Sequence, residues 1–315
     1  MSSRICCGPH ASEEGDSSKK ILNSKKATRM SLRRIIDLIV SSYRSGTLSR
    51  PRVRAVLLFS VGIYLILMLG LGYAWYSAQW ASNGFHFFND WPEWKQLDKF
   101  AHFFWTFQVS ALATRLLVWA QSDGRKAAMG GAALGFMFVS CVEIPDGFSE
   151  DYGASLFDIL ANALGCSAFI AQSLLWKRIM VWPKFSFHQT MFAPLRPNVL
   201  GDGIMEEILK DYNGQTFWYS LQIPKLPFPH WITLAVGVGA EGMIHGRDAE
   251  NAAANFSPTR KYFLSFDLNL TGIKTESRLL NSVLYVFNII KSKRPIKHET
   301  HREVGLMQIF VVVAG

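Results

Sequence analysis

Four apolar stretches dominate the first half of the chain. Residues 55–76, AVLLFSVGIYLILMLGLGYAWY, contain no charged side chain. As a helix at about 1.5 Å per residue this run is about 33 Å long, enough for the roughly 30 Å hydrocarbon core of a bilayer. Tyr73, Trp75 and Tyr76 gather at its end, as interfacial aromatics do. Three further stretches, about 99–120, 127–145 and 154–176, are shorter or carry ionisable groups. They predict three more helices, two of them joined by the short polar link QSDGRK (121–126). Small residues in GGAALG (130–135) and ANALG (161–165) would let these helices approach closely.

The pattern changes after residue 178. Pro183, Pro194, Pro197, Pro224, Pro227 and Pro229 exclude long helices up to about 230, leaving a short one over 204–210. Asn213-Gly214 signals a turn before the aromatic run Thr216–Tyr219. WITLAVGVGAEG (231–242) reads as a Gly-rich strand or close-packed turn. In KYFLSFDLNL, Tyr262, Leu264, Phe266, Leu268 and Leu270 alternate with Ser265, Asp267 and Asn269, which predicts a half-buried strand. A last helix is expected over about 276–291.

Composition supports a membrane setting. The 315 residues are 49% apolar and 18% charged, against roughly 25% charged in a typical soluble protein. The net charge of +9 would suit a nucleic-acid partner if it formed one patch, but it does not. Residues 1–54 hold twelve Lys/Arg against four Asp/Glu, residues 55–176 five against nine, and residues 177–315 sixteen against eleven. The excess before the first apolar run reads as orientation in a membrane. With a cytoplasmic basic tail, four spans put Arg125/Lys126 and Lys177/Arg178 inside and the loops 77–98 and 145–153 outside. Residues 1–29 read as disordered, 30–44 as a basic amphipathic helix on the membrane surface, and Met30 is a second candidate for the true start. No lipobox-like cysteine and no cleavable signal peptide are expected.

Cys6, Cys7, Cys141 and Cys166 make neither a CxxC nor a disulfide framework, and Cys141 and Cys166 read as packing residues. GxSxG, P-loop and HExxH motifs are absent. The informative groups are ionisable residues in the apolar stretches: Asp98 and His102 four apart, Glu143 with Asp146 after it, and Asp158 and Asn162 four apart. The four-span topology sets all of them near the extracytoplasmic face. Such groups are costly in a membrane and point to function or mutual pairing. Structurally, Asp98 and Asp158 would cap helix N-termini while His102 and Asn162 join helices. Functionally, they would converge on a lipid head group or a cation. Ser155 reads as a small helix contact, and no motif calls for a cofactor or a metal.

FHFFNDWPEWKQLDKFAH (85–102) and EIPDGFSEDYGASLFDILANALG (143–165) resemble the uncharacterised bacterial YfiM-like membrane protein family, most of all its Bacteroidetes forms. RPNVLGDGIMEEILKDYNGQTFWYSL (196–221) and YFLSFDLNLTGIKTESRLL (262–280) look like that family's C-terminal part. More distantly, Asp98, His102, Glu143, Asp158 and Asn162 follow a spacing similar to VanZ-like proteins. The resemblance implies no established reaction; some relatives are described as predicted periplasmic lipoproteins. It would put the C-terminal part outside, whereas the charge pattern puts it inside.

The expectation is a mainly α membrane protein: a basic segment (1–54), about four transmembrane helices (55–178) and an α+β C-terminal appendage (179–315). It would be a multi-pass protein of the bacterial inner membrane with a cytoplasmic N-terminus. Its partners would be membrane lipids and not nucleic acid, with the oligomeric state open. The polar cluster would bind a lipid-linked envelope component. The alternatives are a membrane enzyme using a His/carboxylate acid–base pair, or a scaffold without catalysis.

Overall fold

A computed structural model describes residues 50–76, 84–120, 123–150, 152–223, 229, 231–273, 275–291 and 311–314. The tail over 1–29 and the amphipathic helix expected over 30–44 lie outside the described residues. Each apolar stretch forms a helix: α1 (Arg50–Tyr76), α2 (Leu97–Trp119), α3 (Gly124–Ser140), then the short α4 (Glu143–Gly147) and α5 (Leu156–Ala171). A π-helical turn, Gln172–Trp176, prolongs α5. The starts are capped from the sequence: Asp123 accepts the Arg125 and Lys126 amides, and Ser155 accepts the Asp158 amide. Both caps satisfy N–H groups that a first turn leaves unpaired.

The small residues act as expected. A Cβ on Gly131 would lie 2.6 Å from the Thr114 amide nitrogen, and one on Gly165 would lie 2.5 Å from the Phe103 carbonyl oxygen. Without side chains there, α3 and α5 pack backbone against backbone onto α2. At the far end of α2, the buried Arg52 of α1 donates to the Trp119 carbonyl at 3.0 Å.

The C-terminal half contributes β1 (Val181–Phe187), α6 (Pro197–Leu200), α7 (Ile204–Lys210), β2 (Gln215–Leu221) and β3 (Ile232–Glu241). They are followed by α8 (Asp248–Ala253), β4 (Thr259–Leu268), α9 (Arg278–Phe287) and β5 (Val311–Ala314). The strands form one antiparallel meander in the order β1-β2-β3-β4-β5, with Lys184 opposite Trp218, Trp218 opposite Gly237 and Gly237 opposite Phe263. Residues after α9 return to β1, where Phe185 donates to Ile289 and Lys291 donates to Phe185. That pairing covers the outer edge of β1 at Phe185.

One sheet face packs on α2: Phe185, Phe217 and Val238 join Phe104 and Leu97 in a shared core. The expectation of four transmembrane helices with an appendage is therefore corrected. Among the described residues three helical segments, Arg50–Gly70, Gly124–Gly147 and Leu156–Trp176, are long and apolar enough to cross a membrane. The second stretch is not one of them. α2 carries Asp98, Lys99 and Arg115, and packs on α3, α5, β1 and β2 together. The sheet is built onto this helix, so the fold is an α+β body centred on α2.

The half-buried strand is found over β4, with its sides exchanged. Leu264 is 41% and Leu268 52% exposed, whereas Ser265 is 2% and Asp267 8% exposed. Polar residues fill the inside because the sheet curls until β1 meets β4. Lys184 reaches the Leu268 carbonyl at 2.6 Å and the Asp267 carboxylate at 2.8 Å, and Lys291 donates to the Phe266 carbonyl at 2.8 Å. Trp218 donates to Ser186, and Ser220 bonds Thr233, in the same interior.

Burial alone would raise the Asp267 carboxyl, but Lys184 and Lys291 outweigh it and hold it below the ordinary value of 3.8. A carboxylate held down in the folded state adds stability at higher pH that is lost as pH falls through its lowered pKa. Asp267→Asn should lower the unfolding free energy at neutral pH by ~3–5 kcal/mol, since it strands two buried lysines. It should also flatten the decline of Tm below about pH 4. Thermal unfolding across pH checks both; an unchanged Tm at pH 7 would show that this pair does not hold the curl.

Candidate functional site

The site starts at the entry to α2. His86 donates its amide to Gly147, Phe88 donates to Ala154 and Ala154 donates to His86, so the lead-in lies along the α4–α5 connection. Trp94, Lys95 and Gln96 then take left-handed backbone angles, with φ of 48°, 52° and 57°. For residues with a Cβ that costs roughly 1–2 kcal/mol each. Contacts to the α8 region offset it: Trp94 donates to Gly246 at 2.7 Å, Lys95 pairs with Asp248 at 2.7 Å and Arg247 with Glu93 at 3.1 Å. The turn sets Asp98 and Lys99 inward in the first turn of α2.

Lys99 is the centre. Its buried ammonium donates to Asp98 and Asp158 at 2.7 Å each, and to Asp90 as well. Ser155 extends the network, with its hydroxyl donating to Asp90 at 2.6 Å and its amide to Glu143 Oε2 at 2.8 Å. On the other side of Asp158 stands His102. Its Nδ1 lies 3.1 Å from Asn162 Oδ1, which also accepts from Thr106 at 2.8 Å, while Asn162 Nδ2 donates to Ser140 at 3.1 Å. His102 Nε2 faces Asp158 Oδ1 at 3.6 Å and Glu143 Oε1 at 3.8 Å.

Four carboxyl groups thus share one ammonium and one imidazole. Burial pushes the Asp98 carboxyl up to about 7 despite Lys99. Burial would raise Asp90 too, but hydrogen bonds from Asp158, Lys99 and Ser155 outweigh it and hold that group below its ordinary value. Burial opposes the charge on Lys99, yet Asp98 and Asp158 raise it above the usual lysine range. Burial lowers His102 and favours its neutral form. Among the described residues two groups of side chains have the ligand atoms and spacing for a metal ion: Asp90, Asp98 and Asp158, and His102, Glu143 and Asp158. Lys99 already supplies the cation to the first.

The structure brings together Asp98, His102, Glu143, Asp158 and Asn162. The hydrogen bonds named above do not include Asp146, which is half buried on α4. The expected caps are redistributed: Gln96 and Ser155 take the N-cap positions, and both aspartates sit inside first turns. Asp90, Lys99 and Thr106 were missed, and Ser155, expected as a small helix contact, instead bonds Asp90, Glu143 and the Asp158 amide. Lys99 had a signal, a cation beside Asp98 in an apolar run. Ser155 had one in its spacing three before Asp158. Asp90 had none, because its role comes from a loop folded back over the bundle.

Residues 86–174 match a family model described as Predicted periplasmic lipoprotein (DUF2279), a span that contains every residue of the cluster. No curated protein and no solved structure matches the chain. The match points to a bacterial cell-envelope family of uncharacterised activity. It overturns the expected location, a multi-pass inner-membrane protein with a cytoplasmic N-terminus, in favour of the periplasm or a lipid anchor. The physical reason lies in α2. With it removed from the spans, the even count that put Arg125/Lys126 and Lys177/Arg178 on the side of the basic tail no longer holds.

Lys99→Met should strand three buried carboxylates and cost ~3–5 kcal/mol of stability. Lys95→Met, which breaks a solvent-exposed pair with Asp248, should cost no more than about 1 kcal/mol. Denaturant unfolding of the two variants measures the contrast, and equal losses would contradict the central role given to Lys99.

Proposed function

We propose that this chain works at a lipid surface of the bacterial cell envelope, as a YfiM-like protein, and receives the polar head group of a lipid-linked component at the His102 edge of the cluster. One observation carries the reading. The segments that deliver Asp90, Glu143 and Ser155 also present exposed aromatic side chains: Phe85, Phe87, Trp91 and Phe148. Phe85 packs edge-on against both Phe87 and Phe148, so three of them form one group. Aromatic side chains concentrated beside buried charge are the arrangement of a membrane–water interface, with rings at head-group depth and polar groups within reach of them.

The outer face of the curled sheet supports the same setting. Val236, Tyr262, Leu264 and Leu268 are exposed on it, and Leu279, Val286 and Ile290 are exposed on or beside α9. Apolar patches of this extent mark lipid or protein contact. The cluster itself is rich in acceptors, which suits a head group that carries a positive charge or several donors. The VanZ-like spacing falls on the same residues.

Flotation with vesicles of phosphatidylethanolamine and phosphatidylglycerol tests the reading. The full chain should float with the vesicles, and Phe87→Glu combined with Trp91→Glu should reduce the bound fraction about tenfold or more, as expected for charge placed at an interface. Met205→Glu, at an exposed position on α7, should leave flotation unchanged. A chain that stays unbound, or a double variant that floats like the parent, would overturn the assignment.

A further inference from the structure

We infer that His102, Glu143 and Asp158 form a binding site for one divalent transition-metal ion, of the Zn2+ or Mn2+ class. The site is argued from the geometry of these side chains and does not depend on the lipid-surface reading.

Asn162 sets the orientation of His102. Its amide nitrogen donates to Ser140 and its oxygen accepts from Thr106, so it presents that oxygen to His102 Nδ1. The proton of the neutral imidazole therefore sits on Nδ1, and Nε2 carries a bare lone pair. That lone pair points at two carboxylate oxygens, 3.6 Å and 3.8 Å away. The three ligand atoms lie within 4.8 Å of one another. Three acceptors facing one another repel unless a proton or a metal ion stands between them.

Glu143 supplies the second, independent observation. The residue is 4% exposed, and its Oε1, the oxygen turned toward His102, has no hydrogen-bond partner. Its other oxygen is held by the Ser155 amide, which fixes the carboxylate in this direction. A buried acceptor without a partner is costly, and native structures keep one chiefly for a purpose.

The spacing and the surroundings fit an ion. Metal–ligand distances of about 2.0–2.2 Å put tetrahedral ligand atoms about 3.4 Å apart, so the two separations from His102 Nε2, 3.6 Å and 3.8 Å, need to close by only a few tenths of an ångström. One imidazole and two carboxylates suit Zn2+ or Mn2+ better than a thiol-seeking ion. Asn162 on Nδ1 is the outer partner that a metal-bound histidine ordinarily has. Asp158 Oδ1 is shared with Lys99, which uses one of its lone pairs and leaves the other. Lys99 is one cation among four carboxyl groups, and a dication beside His102 would let Glu143 and Asp158 carry their charges together. The His102 side chain is 19% exposed, which gives an ion a way in and leaves coordination room on the solvent side.

The test is calorimetric titration of the EDTA-dialysed full chain with Zn2+ and with Mn2+. One ion should bind per chain, and His102→Gln and Glu143→Gln should each weaken binding about 10-fold or more, while Asn162→Ala does so by roughly 10–100-fold. His245→Gln, at a histidine paired with Arg196 outside the cluster, should bind as the parent does. Circular dichroism establishes that each variant is folded. Should Glu143→Gln fail to fold, the visible absorption of Co2+ bound to the parent and lost in His102→Gln answers the same question. Absence of binding by the parent would overturn the site. So would undiminished binding by folded His102→Gln, or an equal loss in His245→Gln.

Discussion

The ammonium of Lys99 is what the helical part of this protein is arranged around. Removing an alkyl ammonium from water costs several kcal/mol, and only close carboxylates with good hydrogen-bond geometry offset it. Asp98, Asp158 and Asp90 do so from α2, from α5 and from the lead-in loop. Three separate stretches are therefore tied to one point. The left-handed turn at Trp94–Gln96 follows from this constraint, since it delivers Asp98 and Lys99 inward at the start of α2.

The sheet repeats the device with the opposite sign. Lys184 and Lys291 share Asp267 inside the curl, so the acid is outnumbered where in the bundle it is in excess. The difference separates the two clusters chemically. In the sheet the lysines also bond to the Leu268 and Phe266 carbonyls, and the arrangement acts as a tie between strands. In the bundle the acceptors exceed the donors, and the surplus is gathered between His102 and Glu143. The curl encloses the polar side chains of β4, and Val236, Leu264 and Leu268 are exposed on the opposite face.

Much of the architecture was legible along the chain. Apolar runs marked α1, α2, α3 and α5, and Asn213-Gly214 marked the turn into β2. The glycines of GGAALG and ANALG marked the contacts with α2. The i, i+4 spacings Asp98/His102 and Asp158/Asn162 put each pair on one helix face, and the structure brings both pairs together with Glu143. These are local properties: helix periodicity, capping and the absence of a Cβ act over a few residues, so the order of residues alone carries them.

The rest was decided by tertiary structure. Alternation in β4 showed that its two faces differ but not which one is inside; the curl that brings Lys184 to Asp267 chose the polar face. Apolar length suggested four spans, yet Lys99 and the sheet packed on α2 make that helix the centre of the fold. Asp90 gave no signal because it joins the cluster through a loop folded back from a different element. The sequence by itself determined which segments are helices and strands and which polar residues lie along them. Only the fold decided which charges meet, because the balance between desolvation and pairing depends on distances between residues far apart in the chain.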